Sequence, residues 1–167
     1  DISISNIDNP NNIANLNALL SLTLSIVGFV EDTELIDHTI STCLQYLSEP
    51  TSKIPVATKS IIIVLLAKIN INNPELIAAH ANDLLLKNRS ILPMFAKSGS
   101  LVLRLVLNIA SSAEDGCENF NLLTLLIQAL RGVARKTFRI DEDRATVIMQ
   151  ILTLIQSKTP QCLSQTY

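Results

Sequence analysis

The chain has 167 residues, which is enough for one domain with a sizeable core. It is 48% hydrophobic, but only 4% of its residues are aromatic and 17% are charged, against about 25% charged in a typical domain. The formal net charge of −2 does not favour nucleic acid, although residues 1–80 carry −5 and the remainder +3.

The longest apolar runs, 60–67 and 101–107, are much shorter than the roughly 20 residues that cross a bilayer. We therefore predict no transmembrane span. The chain begins at Asp1 without a basic segment before an apolar one, so no signal peptide is predicted and a fragment of a larger polypeptide is expected.

The three cysteines, Cys43, Cys117 and Cys162, are odd in number and widely spaced. They form no CxxC pair, and no histidine lies at ligand spacing from them. This pattern predicts reduced thiols in an intracellular protein, either cytoplasmic or nuclear.

The first half of the chain predicts a lead-in and three helices. Residues 1–12 are polar and rich in asparagine, and from residue 13 to about 30 helical spacing over a wide arc predicts a well-buried helix. Asp32 or Thr33 can cap the next helix, which stops before Pro50. This helix is predicted to carry a narrower apolar stripe of Ile36, Ile40, Cys43, Leu44 and Leu47. Pro55 suits the start of a third helix, which runs to about Asn70 and is apolar nearly all round. We therefore expect this third helix to be central.

The second half continues the helical pattern. Pro74 begins a helix to about residue 87, residues 89–97 predict a short helix or tight turn, and a further helix ends at Ala110. Residues 119–133 are helical and rich in leucine. Asp141 caps a final helix through Gln156, before the tail at 158–167. The predicted class is all-α, with a single domain over residues 13–157.

Four of these helices end at a nearly constant interval. Their central end residues are Gly28, Lys68, Asn108 and Thr153, which are 40, 40 and 45 residues apart. A period of this size in helices alone is typical of a stacked solenoid, in which each unit buries its apolar face against its neighbours.

Residues 91–110, which end in Val-Leu-Asn-Ile-Ala, resemble the second half of an armadillo repeat. The resemblance implies a right-handed α-solenoid of about three to four armadillo-like repeats, with units at 32–70, 74–110 and 117–156 after an incomplete one. HEAT-like pairs remain an alternative. In armadillo proteins the asparagine at the place of Asn108 lines a concave groove and binds a peptide backbone. Only Asn108 matches it, and the chain has no tryptophan, which favours a less stereotyped surface.

Two polar sets are candidate partner-binding residues. If the armadillo register applies, Lys68, Arg104 and Asn108 line the groove, where they would favour an acidic or helical ligand. The second set is a basic patch, to which nearby Arg144 also belongs. Its alternative interpretation is a solvated helix end, in which the cations complement the helix dipole and pair with Asp141–Asp143. The principal members of this patch are Arg131, Arg135, Lys136 and Arg139.

No catalytic, cofactor or metal site is predicted. His80 shares a helical face with leucine and isoleucine residues, which favours a hydrogen-bonded core histidine. His38 follows Asp37 on a polar helix and is expected to be exposed. The four glycines form no phosphate-binding loop, and the acidic run 141–143 lacks the alternating ligands of an EF-hand. We therefore expect that the chain is not an enzyme.

These features predict a protein–protein interaction scaffold domain of a larger intracellular protein. Binding would use the concave groove, the basic patch or apolar surface on the terminal helices. A homodimer, or docking to the rest of its own chain, would cover such a surface. The alternative is a nucleic-acid or nucleoprotein-associated module using the basic patch.

Overall fold

A computed structural model describes residues 10–87, 100–112, 146, 149, 150, 152–154, 156 and 157. The described residues are mostly helical and include no strand, which confirms the all-α class. The predicted lead-in up to residue 9, segment 89–97, helix 119–133, cap at Asp141 and tail 158–167 lie outside them. The helices are α1 (Pro10–Ile26), α2 (Thr33–Ser48), α3 (Val56–Asn72), α4 (Pro74–Ala79), α5 (Ala81–Lys87) and α6 (Ser100–Ser112).

The chain divides into a first unit, Asp1–Ile77, and a second unit, Ala78–Tyr167. In the first unit α3 packs against both α1 and α2, as expected for a central helix. In the second unit α5 packs against α6. The described residues between 146 and 157 have helical backbone.

Helix α1 begins at Pro10, three residues before the predicted start, because proline is well suited to the first helical turn. It ends at Ile26 and continues into one 3₁₀ turn, Val27–Phe29. Leu16 and Leu20 are buried, but much of the remaining surface is exposed. The prediction that this helix is well buried is therefore wrong, because only one of its faces packs on the unit.

Helix α2 begins with the predicted cap. The Asp32 carboxylate Oδ1 accepts hydrogen bonds from the backbone amides of Glu34 at 3.0 Å and Leu35 at 3.1 Å, which satisfies two amides of the first turn. The helix ends at Ser48, before Pro50. The predicted apolar stripe is confirmed as its buried face, and it comprises Ile36, Ile40, Cys43, Leu44 and Leu47.

Helix α3 is buried on almost every side, which confirms the prediction from its apolar sequence. Its buried polar side chains are Thr58, Lys59 and Asn70. Its buried apolar residues are Ile62, Ile63, Leu65, Leu66, Ala67 and Ile69. Because α3 lies between α1 and α2, its polar groups are placed where those helices end.

A single helix was predicted from Pro74 to about residue 87, but the structure divides it into α4 and α5. The break lies at His80, whose backbone forms a turn and whose carbonyl accepts a hydrogen bond from the Leu84 amide at 3.0 Å. His80 is half-buried. Ile77 and Leu84 on either side of the break are buried, so the apolar pattern continues across the interruption.

Candidate functional site

Two lysines of α3 each bind the carboxyl end of another helix. Lys59 Nζ donates to the backbone carbonyls of Leu47, at 2.9 Å, and Glu49, at the end of α2. Lys68 Nζ donates to the backbone carbonyl of Leu24 at 2.8 Å, in the last turn of α1. The last four carbonyls of a helix have no partner within it and carry partial negative charge, which ammonium groups complement. These two lysines therefore fasten α1 and α2 to the central helix.

Burial sets the electrostatics of Lys59, which is only 3% exposed. Loss of hydration disfavours the ammonium form and lowers the pKa of Lys59, and the nearby Glu49 carboxylate opposes this change. The charge is held by carbonyl oxygens at the end of α2. Lys59 therefore has a structural role that the sequence did not indicate.

The predicted groove residue Lys68 is half-buried, and its ammonium group is engaged by α1. One turn further along α3, the Asn72 amide Nδ2 donates to the carbonyl of Gly28 at 3.4 Å. A Cβ atom placed on Gly28 would lie 3.5 Å from Lys68 Cε. The ends of α1 and α3 therefore lie side by side, and Gly28 is in close contact with the lysine stem.

The other two predicted groove residues lie in the second unit, on α6. Arg104 is exposed and Asn108 is half-buried. The side-chain oxygen Oδ1 of Asn108 accepts a hydrogen bond from Ser112 Oγ at 3.1 Å, and its carbonyl accepts one from Ser111 Oγ at 3.0 Å. Asn108 thus takes part in the hydrogen bonding at the carboxyl end of α6.

An open groove of about 800 Å³ runs beside this end of α6 within the second unit. Leu107 and Ser111 form one wall, and Met149 and Thr153 are among the residues of the other. The predicted basic patch of Arg131, Arg135, Lys136 and Arg139, together with Arg144 and Asp141–Asp143, lies outside the described residues.

A contiguous exposed apolar surface lies on the solvent-facing side of α1 and its 3₁₀ turn, which we call the outer face. It is formed by Leu19, Leu22, Ile26 and Phe29, which are 50%, 59%, 50% and 86% exposed. Their spacing of three, four and three residues places them in one stripe, as in the seam of a coiled coil. Apolar surface on a terminal helix was expected from the sequence, but this particular stripe was not.

The outer face carries no charge, because no charged residue occurs from Pro10 to Val30. The neighbouring exposed residues include Ser21 and Ser25, whose hydroxyls donate to the carbonyls of Asn17 at 2.8 Å and Ser21 at 3.0 Å. These polar groups are therefore satisfied by the helix itself. The outer face presents hydrocarbon to solvent and little that attracts ions.

Among the described residues, one helical stretch is long and apolar enough to cross a membrane by length and composition alone. It is Asn11–Phe29, with a mean hydropathy of 1.4 and 17% of its residues buried. Core helices and N-terminal signal sequences meet the same criterion. This stretch contains the outer face, whereas an adjacent side of the same helix contributes Leu16 and Leu20 to the core.

The groups usually associated with chemistry do not converge in the described part of the chain. No cluster of three metal-ligating side chains occurs there, and His38 is exposed, as predicted. Burial raises the pKa of the free Cys43 thiol to about 12, which keeps it protonated and unreactive. Comparisons with protein-family models, curated proteins and solved structures find no match.

Proposed function

We propose that this chain is a protein-binding module of a larger intracellular scaffold, and that it binds a helical partner through the outer face of α1. The observation that carries the proposal is a contiguous, exposed and uncharged apolar stripe of four residues along α1 and its 3₁₀ turn. Exposed apolar patches of this kind mark interaction surfaces, because leaving them in water costs free energy that a partner can recover.

The spacing of the stripe specifies the kind of partner. Residues at intervals of three and four along a helix interlock with side chains of a second helix that lies alongside. Phe29, the most exposed of the four, offers the largest apolar area and is the expected anchor. The predicted groove is a weaker candidate, since Lys68 already binds the Leu24 carbonyl.

The finer architecture that we propose is an armadillo- or HEAT-like stack of repeats. Residues predicted as equivalent, Gly28 and Lys68, are neighbours in the first unit. In the second unit one groove is lined by Leu107, which precedes the predicted repeat end Asn108, and by Thr153, which is itself a predicted repeat end. Contacts between successive repeat ends support stacking at the predicted period of about 40 residues.

Site-specific photocrosslinking in cells tests the proposed surface. A benzophenone amino acid would replace Leu22 on the outer face, and a matched variant would carry it at Ser21, which is exposed on another side of the same helix. We expect one discrete protein adduct at position 22 that an Ile26→Asp substitution removes. Equal adducts at both positions, or adducts at neither, would contradict a binding role for the outer face.

A further inference from the structure

We propose that the occupant of the outer face is a second copy of this chain, bound in antiparallel orientation about a two-fold axis that crosses the stripe at the level of residue 24, midway between Leu22 and Ile26. This inference rests on the proposed function and names the partner. In this arrangement Leu22 of one copy packs against Ile26 of the other, and Leu19 against Phe29. Each pair occurs twice, as a two-fold interface requires.

The stripe is complementary to its own reverse. The intervals between its four residues are three, four and three positions in either direction along the helix. An antiparallel copy therefore places an apolar side chain opposite every apolar side chain. The smaller Leu19 meets the larger Phe29, and the two central pairs join leucine to isoleucine. Layers of this kind fill the seam of two-stranded helical pairs without leaving one side chain unmatched.

Charge also favours a second copy. Two identical charged surfaces repel each other, but the outer face carries no charge, so self-association meets no such penalty. The exposed Glu31, Asp32 and Glu34 follow α1 directly. A parallel pair would bring both acidic ends together, whereas an antiparallel pair places each of them beside the uncharged stretch around Asn15 of the other copy.

The same features argue against a lipid surface as the occupant. Helices that lie on membranes usually carry lysine or arginine beside the apolar face, and α1 has neither. Insertion across a bilayer would also remove Leu16 and Leu20 from the core and break the contact from Lys68 Nζ to the Leu24 carbonyl. A protein partner leaves these contacts intact.

The size of the surface sets the expected strength. A helix spanning Asn11–Phe29 is roughly 28 Å long, and a single pair of such helices falls at the low end of specific interface areas. We therefore expect a reversible dimer with a dissociation constant on the order of micromolar. Phe29 is the expected hot spot, because it is a large aromatic group and the most exposed residue of the stripe.

Sedimentation over a concentration series, spanning about 100-fold around the micromolar range, tests the dimer. The variant Leu22→Asp places a charge in the proposed seam, and Ser21→Asp adds the same charge at an exposed position on another side of α1. We expect the wild type and the serine variant to dimerise, and the first variant to do so at least about 100-fold more weakly. Equal helical content by circular dichroism would show that both variants fold.

Mixed disulfides test the orientation, in a chain that carries Cys117→Ser and Cys162→Ser. Leu22→Cys and Ile26→Cys chains are oxidised separately and as a mixture, while the buried, protonated thiol of Cys43 stays out of the reaction. We expect a covalent dimer in the mixture and little from either chain alone. Efficient disulfide formation between two copies of the same variant would contradict the antiparallel arrangement, since it requires parallel helices.

The outcomes separate this inference from the proposed function. A chain that is monomeric throughout the series, but forms the discrete protein adduct at position 22, would overturn the dimer and leave the binding role in place. A monomeric chain without that adduct would overturn both. Flotation with phosphatidylcholine vesicles that is lost in Leu22→Asp would also overturn both, because the occupant would then be lipid.

Discussion

Lys59 Nζ lies 2.9 Å from the carbonyl oxygen of Leu47, and this buried hydrogen bond joins the central helix to the carboxyl end of α2. Lys68 makes the corresponding contact with the end of α1 through the Leu24 carbonyl, at 2.8 Å. Because both charges are used inside the fold, α3 organises the first unit and offers little cationic surface to a partner. Partner binding is consequently expected on the uncharged outer face of α1.

Replacing Lys59 tests the first of these contacts. Lys59→Met keeps the apolar stem but leaves the Leu47 and Glu49 carbonyls without their donor. We expect the free energy of unfolding to fall by about 2 kcal/mol, because buried acceptors without partners are costly. Urea denaturation followed by circular dichroism measures it. Lys53→Met is the control, since Lys53 is exposed and pairs with Glu49 at 3.4 Å in the segment between α2 and α3, and its loss should be below about 0.5 kcal/mol.

The pH dependence of stability should also report on Lys59. Its pKa in the folded protein is lowered from 10.5, so between the two pKa values the unfolded chain binds more protons than the folded chain. The contribution of Lys59 to the free energy of unfolding should therefore increase as the pH rises through the folded pKa toward 10.5. The difference between wild type and Lys59→Met, measured by urea denaturation at several pH values, isolates this contribution. A difference that decreases over the same interval would contradict the lowered pKa.

Lys68 should control the attachment of α1. Lys68→Met removes the donor to the Leu24 carbonyl while keeping the stem beside Gly28, so we expect a loss of about 1 kcal/mol. Amide hydrogen exchange should show the largest loss of protection in the last turn of α1, with α2 little affected. Uniform loss of protection over both helices would indicate that the contact does not act locally.

The cap of α2 makes a separate prediction. Asp32→Ala removes the acceptor for the amides of Glu34 and Leu35, and a loss of about 1 kcal/mol is expected on thermal or urea unfolding. Asp32→Asn should restore most of this stability, because an asparagine side chain also caps helices. Glu31→Ala, one residue earlier and exposed, serves as the control and should have little effect.

Cys43 provides a probe of opening in the first unit. With a pKa of about 12 and a buried side chain, its thiol should not react with a disulfide reagent at pH 8 in the native Cys117→Ser/Cys162→Ser chain. Reaction should begin as urea unfolds α2. Rapid reaction of the native chain would show that the α2 face containing Cys43 is accessible.

The features predicted correctly from the sequence depend on neighbours along the chain. The Asp32 cap, the buried stripe of α2 and the burial of α3 follow from local hydrogen bonding and from the density of apolar residues. The break at His80 was missed because leucine and isoleucine spacing continues through it. The periodicity of apolar residues indicates which side of a helix is buried. It does not indicate where the backbone turns, because that depends on packing.

The candidate site was less predictable. In α1 the apolar residues cover a wide arc, and nothing in the sequence distinguishes Leu16 and Leu20, which pack inside, from Leu19 and Leu22, which face solvent. The roles of Lys59 and Lys68 were equally hidden, because the carbonyls they bind are 10 and 12 residues away for Lys59 and 44 for Lys68. Only the fold brings helix ends to these lysines.

Hydroxyl-radical footprinting of the chain in native cell extract, compared with the purified chain at high dilution, tests the central claim most directly. We expect oxidation of the outer-face residues to fall several-fold in extract, at Leu19, Leu22, Ile26 and Phe29. Val56 and Ile71 are exposed apolar residues on α3 and serve as internal controls whose oxidation should not change. Unchanged oxidation of the outer face, or equal protection of the controls, would contradict the conclusion that α1 carries the binding surface.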